Sequence, residues 1–155
     1  MAHTLILACG NPLRGDDAVG WLIADALQRE CTSADIEIEA AHQFVPEMAE
    51  RISQAEIVIF VDASASRSPG MVGSQRVTAS RLAAETFTHE LDPQTLLALA
   101  EALYGRAPGR AFSLSVGAES FELNEGLSEA AKASIPKAVD AILGYIAGQT
   151  LPTDR

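Results

Sequence analysis

The sequence predicts an α/β domain of three layers, α/β/α, around a mostly parallel five-stranded sheet with one antiparallel edge strand. Three observations predict it. Short apolar runs at residues 4–9 and 57–61 have the composition of strands buried on both faces. Helical patterns separate the strand patterns, so strand, helix, strand, helix and strand follow in order, the signature of a parallel sheet covered on both sides. A further strand pattern at 71–80 follows through a loop too short for a crossover, so it runs antiparallel at an edge. The 155 residues, 48% of them apolar, suffice for one core, and the sequence divides into a single domain over 1–150 and a frayed tail at 151–155.

Each element has its own warrant. The first strand, 4–9, is stopped by Gly10-Asn11-Pro12. From Asp16 the period changes, and Val19, Leu22, Ile23, Ala26 and Leu27 form one helical stripe reaching about Glu30, with Asp16 and Asp17 in the first turn. Residues 35–40 alternate acid with isoleucine, as a half-buried or edge strand does, and Pro46 opens a short helix carrying Met48 and Ile52. Residues 56–61 make the second strongly apolar strand, which ends on Asp62. Asp92 as N-cap and Pro93 behind it start a helix with Leu96, Leu97, Ala100, Leu103 and Tyr104 on one face, closed by Gly105. The last strand is 111–116, and 127–148 is helical with a kink or break expected at Pro136, which lacks a backbone donor.

Charge excludes some partners. Eleven Lys and Arg against twenty-one Asp and Glu leave a net charge of -10, which repels phosphate backbones and anionic lipid, so neither nucleic acid nor a membrane surface is expected as partner. No apolar run approaches the roughly 20 residues needed to cross a bilayer. The opening Met-Ala-His-Thr carries neither the charged region nor the cleavage site of a secretion signal, and a cytoplasmic, monomeric protein is expected. Cys9 and Cys31 lack CxxC or Cys/His spacing and are read as plain thiols.

Topology then places the acids. Right-handed crossovers put the strand at 35–40 on one side of the first strand and the strand at 56–61 on the other. The first and third strands therefore flank the point where strand order reverses, the usual crevice of an open α/β sheet. The loop 10–17 leaves one of them and Asp62 ends the other. The helix at 93–104 feeds a parallel strand, so its N-terminus, with His89 before it, begins on the same side. Asp17, Asp62 and His89 form a carboxylate, carboxylate and imidazole set suited to a divalent transition metal with coordination positions left open. Taken singly, Asp16 and Asp17 read as an N-cap and a first-turn acid, and His89 as a loop histidine. His3 and His42 have no such placement and are read as structural.

Other chemistries fit less well. The loop Gly10-Asn11-Pro12-Leu13-Arg14-Gly15 has the place of a nucleotide loop but lacks GxGxxG spacing and ends in two acids that would repel a pyrophosphate. There is no GxSxG elbow for a serine nucleophile.

Residues 5–20, LILACGNPLRGDDAVG, resemble the opening motif of the nickel-iron hydrogenase maturation endopeptidases, a strand leading into Gly-Asn-x-Leu-x-x-Asp-acid-x-x-Gly. Residues 58–63, VIFVDA, are similar to that family's strand ending in Asp-Ala, 88–100, THELDPQTLLALA, to its His-containing helix entry, and 117–128, GAESFELNEGLS, to its C-terminal segment. The match runs in order over nearly the whole chain. Two departures stand out: many relatives have Gly-x-Gly-Asn where this chain has Ala8-Cys9-Gly10-Asn11, and some carry Glu in place of Asp17.

The resemblance implies an endopeptidase that removes the C-terminal extension of a hydrogenase large-subunit precursor after nickel insertion. It also implies that Asp17, Asp62 and His89 contact nickel, which arrives with the substrate. Asp16 is assigned to holding the turn by N-capping. A non-catalytic nickel carrier or assembly chaperone using the same residues is the alternative, although carriers commonly hold metal in His-rich tracts and this chain has three scattered histidines.

Overall fold

The computed structural model describes residues 3–82, 91–124 and 126–152. Five strands, β1 (Thr4–Cys9), β2 (Ile36–Ala41), β3 (Ile57–Ser64), β4 (Val72–Arg76) and β5 (Arg110–Gly117), form one sheet in the order β2-β1-β3-β5-β4. β2, β1, β3 and β5 are parallel neighbours, and β4 lies antiparallel to β5 at the far edge. The expected order about the first strand and the antiparallel edge are both present. Strand order reverses between β1 and β3, which pair from Thr4↔Ile57 to Ala8↔Val61.

Successive strand residues point to opposite faces, so each strand feeds two cores. Leu5, Leu7, Val58 and Phe60 pack with α2 (Ala49–Gln54) and α3 (Pro93–Tyr104) on one face. Ile6, Ala8, Ile59 and Val61 pack with α1 (Val19–Glu30) and α4 (Glu129–Ile146) on the other. The result is the three-layer arrangement expected. Asp92 caps α3 by accepting the Thr95 N–H at 2.7 Å, and Ser128 caps α4 by accepting the Ala131 N–H at 3.1 Å.

Four expectations need correction. Of the kink or break expected at Pro136, the break is absent: α4 runs as one helix from Glu129 to Ile146. Pro136 and Lys132, whose carbonyl loses its partner, are both exposed, so water can satisfy that carbonyl. Leu22 is exposed rather than core, because the buried stripe of α1 is Val19, Gly20, Ile23, Ala24 and Leu27. Leu103 and Tyr104 are exposed as well, at 63% and 47%, since only the first two turns of α3 lie over the core. Leu151 and Pro152 belong to the fold and not to a frayed tail: Leu151 is buried, and the Pro152 carbonyl accepts both the backbone N–H and the hydroxyl of Ser74. Among the described residues no helix is long and apolar enough to cross a membrane.

Candidate functional site

The site begins where β1 ends. Gly10 has φ +152°, and a Cβ there would lie 2.0 Å from the Asp17 carbonyl oxygen, so only glycine lets the chain fold back this tightly. The loop then closes on itself. The Asn11 carbonyl accepts the Arg14 N–H at 3.0 Å, and the Asn11 side chain accepts the Leu13 N–H at 2.9 Å, an Asx turn. The Asn11 N–H donates to Asp17 Oδ2 at 2.7 Å and orients that carboxylate. Among the described residues Oδ1 of Asp17 accepts no hydrogen bond.

Asp17 stands in a four-residue 3-10 turn, Gly15–Ala18, that leads into α1. The next turn carries Gly20 against the sheet: a Cβ would meet the Cys9 carbonyl at 2.7 Å and the Val61 carbonyl at 3.4 Å. That close approach explains the last glycine of the opening motif. It seats the start of α1 directly over the C-terminal ends of β1 and β3.

Asp62 follows Val61 on β3, in register with Ser115 of β5. It lines a cavity of about 340 Å³ together with Cys9, Phe44, Leu91, Asp92 and Pro93. Asp17 thus sits in the turn that follows the loop leaving β1, and Asp62 near the C-terminal end of the adjacent strand β3, at the reversal point. His89, the third expected member, lies outside the described residues, although Leu91 and the N-cap of α3 form part of the cavity wall. Among the described residues no group of three His, Cys, Asp or Glu side chains is arranged to hold a metal ion.

Asp16 does not cap its own helix. The 3-10 turn and α1 both lack a side-chain cap, and the Asp16 carboxylate instead accepts hydrogen bonds from Glu119 and Ser128, more than 100 residues away. Burial disfavours its charge. Hydrogen bonds from the Ser128 N–H, the Glu119 N–H, the Ser128 hydroxyl and the Ser120 backbone outweigh that penalty and hold the carboxyl below the usual carboxylate range.

Two neighbours of the site have partners that sequence reasoning did not find. Trp21 is half-buried, donates its indole N–H to the Gly10 carbonyl at 2.7 Å, and stands edge-on to His42 with ring centroids 5.5 Å apart. Arg67, in the loop after β3, donates to the Ser115 hydroxyl at 3.0 Å beside the strand position of Asp62. Neither belongs to a periodic pattern, so no local signal gave their partners, which lie 11 and 48 residues away in sequence. His3 pairs with Glu37 at 3.1 Å, and neither Cys9 nor Cys31 is in a disulfide.

No protein-family model matches the chain, and no curated protein does. Solved structures do. The chain is similar to the hydrogenase maturating endopeptidase HybD from E. coli, at 26% identity over 94% of each chain with a TM-score of 0.69. It is also similar to the [NiFe] hydrogenase maturation protease HycI from Thermococcus kodakarensis KOD1, at 22% identity over 95% of this chain and 94% of that one, with a TM-score of 0.76. A hydrogenase 2 maturation peptidase from a Thaumarchaeota archaeon matches at 23% identity over 95% of this chain and 99% of that one, with a TM-score of 0.70. The resemblance to the hydrogenase maturation endopeptidases therefore holds in fold as well as in motif order, over nearly the whole length.

Proposed function

We infer that this structural relative of the hydrogenase maturation endopeptidases is itself an endopeptidase, which removes the C-terminal extension of a nickel-iron hydrogenase large-subunit precursor once nickel is in place. One observation carries the reading: Asp17 and Asp62, the two acids of the matching motifs, lie in the turn that follows β1 and near the C-terminal end of the adjacent strand β3, at the reversal point of a fold like that of those endopeptidases. The work is proposed to take place in the cytoplasm.

In this reading the nickel belongs to the substrate, and Asp17, Asp62 and His89 recognise it. The donors suit a divalent first-row metal, and the Asp17 carboxylate has one oxygen held by the Asn11 N–H and one without a hydrogen bond among the described residues. A metal of this kind polarises a carbonyl or lowers the pKa of a water. The chain's own residues supply the rest. Asn11 fixes the Asp17 carboxylate, the cavity that Asp62 lines is the proposed seat of the substrate's peptide segment, and a carboxylate takes the proton of the attacking water.

The test is incubation with a nickel-loaded large-subunit precursor. The endopeptidase reading expects the C-terminal extension to be released, whereas a nickel carrier would leave it attached. His89→Ala and Asp62→Ala are each expected to lower cleavage by about 100-fold or more while leaving the melting temperature nearly unchanged. Full cleavage by either variant would remove that residue from the mechanism.

A further inference from the structure

The chemistry above leaves a buried carboxylate unused. Asp16 is 1% exposed, and among the described residues no Lys, Arg or His pairs with it. Its Oδ2 accepts the Glu119 N–H and the Ser128 hydroxyl, each at 2.7 Å, and its Oδ1 accepts the Ser128 N–H at 2.8 Å. Its own N–H donates to the Ser120 carbonyl at 2.9 Å. Glu119 and Ser128 bound most of the connection from β5 to α4, so both ends of that connection close on a single carboxylate. Near the middle of the same connection, the Asn124 N–H donates to the Leu13 carbonyl at 2.7 Å.

The turn that bears Asp16 bears Asp17 one residue later and has no side-chain cap of its own. Its side-chain hydrogen bonds run in two directions: Asp17 back to Asn11, and Asp16 across to the connection. Ser128 continues the series, since the hydroxyl that donates to Asp16 also accepts the Ala131 N–H in the first turn of α4. A chain of hydrogen bonds thus runs from the N-terminus of α4 through Ser128 and Asp16 to the turn that carries Asp17.

We propose that Asp16 is a positioning residue for cleavage: by fastening the 119–128 connection to the 3-10 turn, it holds the Asp17 carboxylate against the Asn11 N–H, where Asp17 meets the substrate. The proposal rests on the reading that Asp17 contacts the substrate's nickel. Its first readout does not depend on activity.

The experiment compares wild type with Asp16→Asn, Ser128→Ala and Ser128→Thr. An asparagine keeps only one accepting oxygen and presents its own N–H₂ where the carboxylate's other oxygen accepted, and Ser128→Ala deletes one donor and leaves the carboxylate in place. Amide exchange at Asn11, followed by NMR at a fixed pH well below the melting transition, reports the Asp17 contact. In Asp16→Asn the protection of Asn11 is expected to fall by about 10-fold or more, and kcat on the nickel-loaded precursor by ~10–100-fold with KM within ~3-fold. Ser128→Ala is expected to move both in the same direction by less, and Ser128→Thr, which keeps the hydroxyl and the cap, to restore both.

An Asn11 amide and a kcat that stay at wild-type values while only the melting temperature falls would overturn the proposal, leaving Asp16 as a tether of the connection alone. Where Asp16→Asn does not fold, Ser128→Ala decides by the same two readouts. A wild-type protein that fails to cleave the precursor would count against the endopeptidase reading, and Asn11 exchange would still decide whether Asp16 positions Asp17.

Discussion

Trp21 donates its indole N–H to the carbonyl of Gly10 at 2.7 Å, so the first helix grips the very turn that opens the crevice. Trp21→Phe keeps an aromatic ring beside His42 but leaves the Gly10 carbonyl without this donor. The expected cost is about 1 kcal/mol, or roughly 2–4 °C in melting temperature for a domain of this size. Since Trp21 is the only tryptophan, its emission also reports the turn directly. Addition of saturating nickel-loaded precursor should shift that emission, and an unchanged spectrum would argue that the substrate does not reach this loop.

Gly20→Ala tests how closely α1 must sit on the sheet. The new methyl carbon would lie 2.7 Å from the Cys9 carbonyl, a backbone atom of a central strand that cannot swing aside as a side chain can. Thermal unfolding should show a loss of about 1–3 kcal/mol. Cleavage should fall further than stability alone accounts for, because the displaced helix start carries Asp17 away from Asp62.

Acid should find Asp16. Its carboxyl is held below the usual carboxylate value of about 3.9, so the ionised form contributes stability that is complete above that value and is lost as pH falls through the folded-state value. Glu37, lowered chiefly by its hydrogen bond to Arg51, acts in the same direction. Comparing Asp16→Asn with wild type isolates the first group: the gap between their melting temperatures should be widest above about pH 5 and shrink steadily below pH 4. A gap that is constant over this range would show that the Asp16 charge is not coupled to folding.

Pro136→Ala should stabilise the protein. A proline in a helix interior costs about 3 kcal/mol relative to alanine, and it returns at most about 1 kcal/mol by restricting the unfolded chain. The expected gain is therefore about 2 kcal/mol, read as a rise of ~4–8 °C in melting temperature. Cleavage should be unaffected, since Pro136 lies two turns into α4 and on its exposed face.

The strand order and the reversal point between β1 and β3 were legible because they follow from short apolar runs and the handedness of crossovers, both carried by contiguous residues. The caps at Asp92 and the boundary at Gly105 were legible for the same local reason. Asp16 was not. Capping rules read it as a partner of its own helix, while its actual partners are 103 and 112 residues away in sequence. Leu22 misled because the buried stripe of α1 is centred on Gly20 and Ala24, small residues that let the helix approach the strands and that a count of large apolar side chains passes over. That Asp17 and Asp62 follow the C-terminal ends of neighbouring strands was deduced from topology, but the means of holding Asp17, through the Asn11 N–H and the Gly10 turn, depends on backbone angles that composition does not encode.

The contact between Pro152 and Ser74 bears on how the protein behaves at high concentration. Ser74 belongs to β4, an outer strand of the sheet, and an uncovered outer strand is a template on which other chains can add by strand pairing. The carbonyl of Pro152 occupies the outward N–H of Ser74, and a proline can offer no donor in return to an incoming strand. Removing residues 149–155 would expose that strand, so loss of this segment should appear as concentration-dependent aggregation, with the individual molecule still folded.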